Sequence, residues 1–381
     1  MGFDCLDGLR GKDRAMNSKD RVHTALRHQP TDRVPIFMWF HPETAVILGD
    51  LLEIPPSLVG DAMGNDVQQT WVNNNYAMEG IVHWHDGEWH VDAWGIKWVR
   101  GFSFNQIEHH PLQHSTPEEV LAYRFPADQL PSLFAAMDQA AAKAIAGEYF
   151  LGCDVSPCAY EMYWRLRGME QALLDIMENP EFAAVMLQRC ADFAILLGEE
   201  AFRRYPLDWL WTGDDVASQT NLIVSPRTWR QLIKPALQSV FDLGKARGVW
   251  VAYHCCGALR PIIPDLIDMG MDVLNPVQAN CPGMDIFELK REFGEKITFM
   301  GGLDTQYLLP QGSVGEVRQA VRKLLDEVAY DGGYILAASH TIPPETPLEN
   351  IFALYEEAGI PKQAIFDHAA DLRRKLAQKN G

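Results

Sequence analysis

The sequence contains no run of about 18 apolar residues, so no membrane-spanning helix is expected. It has no excess of base either: 33 Lys and Arg stand against 51 Asp and Glu, a formal charge of −18, and no basic cluster stands out. A nucleic-acid groove needs the opposite sign, so that class of partner falls away. The seven cysteines are odd in number and unevenly spaced, which argues against a disulfide framework. No G-x-G-x-x-G follows the first strand, and no Walker loop, G-x-S-x-G elbow or H-E-x-x-H helix occurs. Dinucleotide binding on a Rossmann half, nucleotide hydrolysis, serine hydrolysis and zincin chemistry lose their sequence support together. Residues 1–16 are charged and lack an apolar stretch, which predicts a loose leader rather than a secretion signal. The cytoplasm is the expected compartment.

What is present suits a globular enzyme. Hydrophobic residues make up 47% and charged residues 22%, enough apolar material for a sizeable core. A short amphipathic helix is expected at Ser18–Arg27. Apolar runs ending in polar or glycine-rich residues then recur: Val34–Phe40, Asp66–Val72, Glu148–Cys153, Leu207–Gly213, Val249–Cys255, Asp272–Val277, Ile297–Gly302 and Gly333–Ala338. Helical periodicity separates most of them, at Gly168–Met177, Pro180–Arg204, Pro226–Ala246, Leu259–Met269, Ser313–Tyr330 and Pro347–Ala358. Strand alternating with helix predicts a parallel sheet, and eight such units predict a closed (β/α)8 TIM barrel, a single domain over residues 17–381. One segment departs from the pattern. Ile81–Arg100 alternates aromatic and polar residues around Asp86-Gly87, which predicts an aromatic-rich β-hairpin inserted after the second strand. Its tryptophans, Trp84 among them, either pack the ribbon down or stack on a flat substrate.

In a barrel of this kind the chemistry sits at the carboxyl ends of the strands. Those positions carry Cys153-Asp154, Asp214-Asp215, His254-Cys255-Cys256-Gly257, Gln278, Cys281, Asp304 and Ser339-His340. Buried polar groups are costly unless they are paired or used. Alternate residues of a strand share a face, so His254 and Cys256 point one way and Cys255 the other. An imidazole and a thiolate are ligands that zinc prefers. The same pair also suits a packed cysteine beside a hydrogen-bonded histidine. A third ligand must come from elsewhere, and His340, Cys281, Asp214 and Asp215 are the candidates. Of the adjacent carboxylates, only one should face the cavity. It would act as acid or base, or orient His254; the alternative is that one of the pair caps the following helix. Asp214, Asp215 and Gln278 are the catalytic candidates; Trp39, Trp84, Cys153 and Asp304 are candidates for touching substrate.

With these residues in view, the chain resembles the uroporphyrinogen decarboxylase superfamily from about Asn17 to Ala358. The likeness is carried by "RVHTALRHQPTDRVP", "GDDVASQTNLIVSPRTWRQLIKP", "YHCCG", "DMGMDVLNPVQ", "FMGGLDTQ" and "GGYILAASHTIPPETPLENI", in that order. The resemblance implies a (β/α)8 barrel and two kinds of chemistry. Decarboxylases of the superfamily carry an arginine motif of the form M-R-Q-A-G-R after the first strand, which grips substrate carboxylates. Here that strand reads "VPIFMWFHPET", without arginine. The other branch, zinc-dependent methyltransferases that work with corrinoid proteins, is closer. Its H-x-C zinc pair matches His254 and Cys256, and its later cysteine falls at His340. The resemblance therefore implies Zn2+, a corrinoid carried by a separate partner protein, and a small methyl donor or acceptor such as a methoxylated aromatic. The alternatives are a decarboxylase of a non-porphyrin acid, calling on Arg165, Arg167 and Lys234, or a non-catalytic barrel. Either way the reading admits a homo-oligomer.

Overall fold

The computed structural model describes residues 15–73, 83–102 and 104–380. Apart from Ala15 and Met16, the expected leader lies outside them, as do the first two residues of the expected hairpin. The fold is α/β, built on a parallel sheet of TIM-barrel type. Ten strands are present among the described residues: β1 (Val67–Trp71), β2 (Trp89–Val91), β3 (Lys97–Gly101), β4 (Phe104–His109), β5 (Phe150–Asp154), β6 (Trp209–Gly213), β7 (Trp250–His254), β8 (Val273–Val277), β9 (Thr298–Leu303) and β10 (Tyr334–Ala338). Seven form the principal sheet in the order β1-β5-β6-β7-β8-β9-β10; β2, β3 and β4 form a separate antiparallel sheet. Among the described residues, no helix is long and apolar enough to cross a membrane.

The chain divides into two compact units. One takes the chain up to Val67, Gly147–Phe150 and Leu303 onward; the other takes Gln68–Ala146 and Leu151–Gly302. In the first unit the expected strand Val34–Phe40 reduces to isolated parallel bridges, Ile36 with Leu336 and Phe40 with Ile342. The cause is local. Pro35 has no N–H to give a ladder, Asp66 takes the Ile36 N–H, and the Asn65 side chain takes both the N–H and the carbonyl of Met38. Side chains satisfy the backbone that a neighbouring strand would otherwise hold. Asp66 is itself buried and bound by two guanidiniums, from Arg21 at 2.6 Å and Arg33 at 2.8 Å.

In the second unit β5, β6, β7, β8 and β9 pair in parallel. The helices Pro180–Arg204 and Lys234–Ala246 cover one face. Leu210 meets Gly198 and Gly244 there, where a glycine leaves room for it. The ring of Tyr253 lies 5.8 Å from that of Phe241, on the same side. Odd and even residues of these strands thus separate cleanly: Leu210 and Tyr253 face the helices, while Trp209, Trp211, Gly213, Ala252 and His254 face the opposite way.

The inserted segment is arranged differently from the expectation. Trp89 pairs with Val99 and His90 with Trp98, so the chain reverses over Asp92–Ile96. Asp92 sets this reversal. Its carboxylate accepts the N–H groups of Trp94 and Ile96 and the indole N–H of Trp98, so a side chain holds the turn. Asp86-Gly87 does form a turn, yet no described strands pair across it, and a third strand, β4, completes the sheet.

Candidate metal centre

The alternation described above delivers the site. Gly213 and His254 are in register on the inward face, so two residues further on Asp215 and Cys256 turn inward as well. The imidazole Nε2 of His254 lies 3.6 Å from Cys256 Sγ and 4.0 Å from Asp215 Oδ1. Among the described residues, Asp215, His254 and Cys256 form the one group whose ligand atoms all lie within 4.8 Å of each other in a manner suited to a metal ion.

The imidazole is held for this purpose. His254 Nδ1 meets Asn275 Oδ1 at 2.7 Å. A carboxamide oxygen only accepts, so Nδ1 carries the proton and Nε2 presents its lone pair toward Cys256 and Asp215. Asn275 sits in an otherwise apolar strand, in register with His254 on β7. Asp215 is fixed through its own backbone and oxygen: its N–H donates to Glu161 Oε2 at 3.2 Å, and its Oδ1 accepts the Cys256 N–H at 2.8 Å. Burial first, then the charge of Glu161, pushes the Asp215 carboxyl up to about 6, with His254 pulling the other way. Burial and the adjacent Asp215 hold the Cys256 thiol well above its ordinary range. A cation among these groups would reverse both trends.

The supporting residues are equally specific. Glu161, near the start of the helix Tyr160–Arg167, accepts from Arg165 at 2.6 Å with its other oxygen, and the Arg165 guanidinium lies 5.5 Å from the Trp98 ring centroid. Gln278 accepts the Gly257 N–H at 3.0 Å and donates to Gln219 at 3.1 Å, pinning the turn that carries Cys256. Gly257 has a φ of +94°, and a side chain there would strike the Ser218 carbonyl at 2.3 Å.

Other expected site residues are placed elsewhere. Asp214 is wholly buried on the outward side, where its two oxygens accept the N–H groups of Ala159, Tyr160 and Glu161, each at 3.0 Å. It caps a helix; burial pushes it up to about 7 against those bonds. Cys153 pairs in register with Leu210, on the helix-facing side, and burial followed by the Asp154 charge keeps its thiol protonated. The Cys281 thiol lies 3.6 Å from Gln219. Trp84 is exposed. Trp39, Asp304 and His340 belong to the first unit. There Trp39 packs edge-on against Phe37, Asp304 accepts three backbone N–H groups from Gln306, Tyr307 and Leu308, and His340 is exposed beside the Thr341 hydroxyl at 3.1 Å.

Sequence reasoning passed over Glu161 and Asn275. Asn275 had a signal: a lone carboxamide between apolar residues of a strand, at the parity of His254, is costly unless used. Glu161 lies on a helix whose periodicity was not recognised. Asn275→Ala is expected to weaken metal affinity by roughly 10- to 100-fold, as loss of a hydrogen bond behind a ligating histidine does, and Asn275→Asp to preserve it. Competition against a chromophoric chelator measures both.

Residues 103–359 match the family described as Uroporphyrinogen decarboxylase (URO-D). A uroporphyrinogen decarboxylase of Thermus thermophilus is 29% identical over 128 residues, 34% of this chain and 35% of that protein, so the match spans about a third of that relative's length. One from Coxiella burnetii is 21% identical over 340 residues, 86% of this chain and 78% of its own. Among solved structures, a methyltransferase from Methanosarcina mazei superposes with a TM-score of 0.66 over 90% of this chain and 98% of its own, at 19% identity, a likeness of fold.

Proposed function

From the premise that this chain belongs to the uroporphyrinogen decarboxylase family, we propose that it is a zinc-dependent methyltransferase. It would move a methyl group between a small substrate, such as a methoxylated aromatic, and the cobalt of a separate corrinoid protein in the cytoplasm. We propose likewise that the parallel sheet belongs to a barrel of eight β/α units in one domain. One observation carries the methyltransferase reading: imidazole, thiol and carboxylate converge where Asp215, His254 and Cys256 meet.

The donor set fits zinc. One nitrogen, one sulfur and one oxygen are borderline ligands. The 3.6 Å between His254 and Cys256 suits an edge of a tetrahedron whose bonds to the centre are about 2.0–2.3 Å, and the 4.0 Å between His254 and Asp215 is a few tenths of an ångström longer than such an edge. Three protein ligands leave a fourth position for substrate, the pattern of a catalytic rather than a structural site. When bound, zinc supplies Lewis acidity to the heteroatom that gains or loses the methyl group. The chain does the rest. Asn275 keeps the His254 lone pair turned inward, Glu161 holds the Asp215 backbone, and Gln278 holds the Cys256 turn.

A carboxylate-binding alternative needs cations in the cavity, and each of its three sequence candidates is engaged. Arg165 is bound to Glu161, Arg167 to Asp175 and the Leu112 and Ser115 carbonyls, and Lys234 to Asp265. That favours an uncharged substrate over a carboxylic acid. The test combines elemental analysis with a methyl-transfer assay, using a purified corrinoid protein and methoxylated aromatics, methanol and methylamines as donors. About one zinc per chain and methylation of cobalt by one donor are expected. A metal-free protein that releases CO2 from a small acid would refute the reading.

A further inference from the structure

The inserted sheet has its polar and apolar residues inverted for a ribbon that meets water. Register sets Trp89 beside Val99, Val91 beside Lys97 and Phe104 beside Gly101, all on the face opposite the buried Trp98. An antiparallel sheet with one face on the core normally turns polar residues outward. Here β2 turns Trp89 and Val91 out and His90 in, where His90 Nδ1 meets His83 Nε2 at 2.7 Å. The inner face is well held. Trp98 gives its indole N–H to Asp92 and lies against the Arg165 guanidinium, Trp94 meets Phe193 edge-on at 6.2 Å, and Tyr123 donates to the Trp94 carbonyl. These contacts anchor the ribbon, and the outward apolar side chains take no part in them. We propose that this outward face is the surface through which two copies of the chain pair about a two-fold axis. The pairing is independent of the metal reading, and either can fail without the other.

Area and charge select the occupant. Trp89 is 58% exposed, Phe104 57%, Val91 53%, and Phe102, at the turn between β3 and β4, 86%. With an aromatic side chain offering roughly 150–250 Å², these four present on the order of 500 Å² of largely apolar surface. A contiguous apolar patch above a few hundred Å² marks an interaction surface. A standard interface takes about 800 Å² from each partner, about 65% of it apolar in homodimers, so the four side chains supply most of the apolar part. The chain carries a formal charge of −18, which opposes self-association over most of its surface. This face is the exception. Its charged residues among those described, Lys97 and Glu108, pair with each other, and the Lys97 ammonium also lies 4.6 Å from the Trp89 ring centroid. A neutral patch does not repel its twin when a two-fold axis lays one on the other. An anionic membrane would instead need unpaired Lys or Arg around the apolar residues.

The experiment is sedimentation equilibrium on four proteins: wild type, Trp89→Ser combined with Phe104→Ser, Val91→Glu, and Ile145→Ser. The last is a control at another exposed apolar side chain, on the helix Ala135–Gly147. Wild type should sediment at twice the 43.0 kDa mass of the chain. A two-fold interface loses each altered side chain twice, so the double variant should weaken association at least about 100-fold. Val91→Glu adds a carboxylate to both sides of the contact and should also dissociate the pair, while Ile145→Ser should remain a dimer. Far-ultraviolet circular dichroism should be the same for all four, because the altered side chains are exposed. A wild type that is monomeric at about 100 μM, well above the micromolar limit for an interface of this size, overturns the proposal. So does a dimer that survives in both patch variants, which would place the contact elsewhere. Dissociation of Ile145→Ser to the same extent as the patch variants overturns it as well. Should the double variant fail to fold, Val91→Glu decides alone.

Discussion

Cys256→Ala is expected to reduce bound zinc from about one equivalent per chain to a small fraction, and to lower methyl transfer by about a thousandfold or more. The metal is held by three side chains, and the thiolate is the strongest of them for zinc. Lewis acidity at the reacting atom is worth several kcal/mol, and about 4 kcal/mol corresponds to a factor of a thousand in rate. The neighbouring cysteine supplies the control. Cys255 is wholly buried on the helix-facing side, so Cys255→Ala should keep its metal and most of its activity while losing about 1 kcal/mol of stability through the small cavity it leaves. Two residues of one type, adjacent in sequence, are thus predicted to behave oppositely. If Cys256 were only a packed thiol, both variants would lose a little stability and neither would lose metal. Zinc that survives in Cys256→Ala removes the assignment.

The parity that separates these cysteines was legible in the sequence, because side chains alternate strictly along a strand once its ends are known. His254 and Cys256 could be placed on one face, and one of Asp214 and Asp215 turned away, before any coordinates. The same rule applied to "LGCD" would have preferred Asp154 over Cys153 as the inward residue, but the strand end was set one residue short. The periodic runs were also legible, and six of the seven expected helices start within a residue or two of the observed ones. Other features depended on tertiary context. Val34–Phe40 reads as a strand, yet Asp66 and Asn65 reach across to hold its backbone in place of a ladder. No local pattern announces that the carboxylate of Asp92, rather than Asp86-Gly87, organises the reversal of the inserted sheet. Asp304 has the look of a site residue at a strand end, but its oxygens are occupied by three backbone N–H groups.

Asp214→Ala is expected to cost about 3 kcal/mol or more in stability while leaving zinc stoichiometry intact in the folded protein. Its carboxylate is the partner of three successive N–H groups at the start of Tyr160–Arg167. Those donors are buried, and each one orphaned costs about 1–3 kcal/mol, only partly recovered by relaxation. Asp214→Asn should fall between wild type and alanine. Oδ1 accepts from Ala159 and Glu161 and could go on doing so, whereas the amide nitrogen would oppose the Tyr160 N–H. Activity should fall less than stability, and through one route: the helix start positions Glu161, which holds the Asp215 backbone. Chemical denaturation and metal analysis on the three proteins separate a cap from a catalyst. A catalytic Asp214 would give the reverse pattern, full stability with activity abolished. Asp214 is wholly buried on the outward side with both oxygens bound to a helix end, which opposes that outcome.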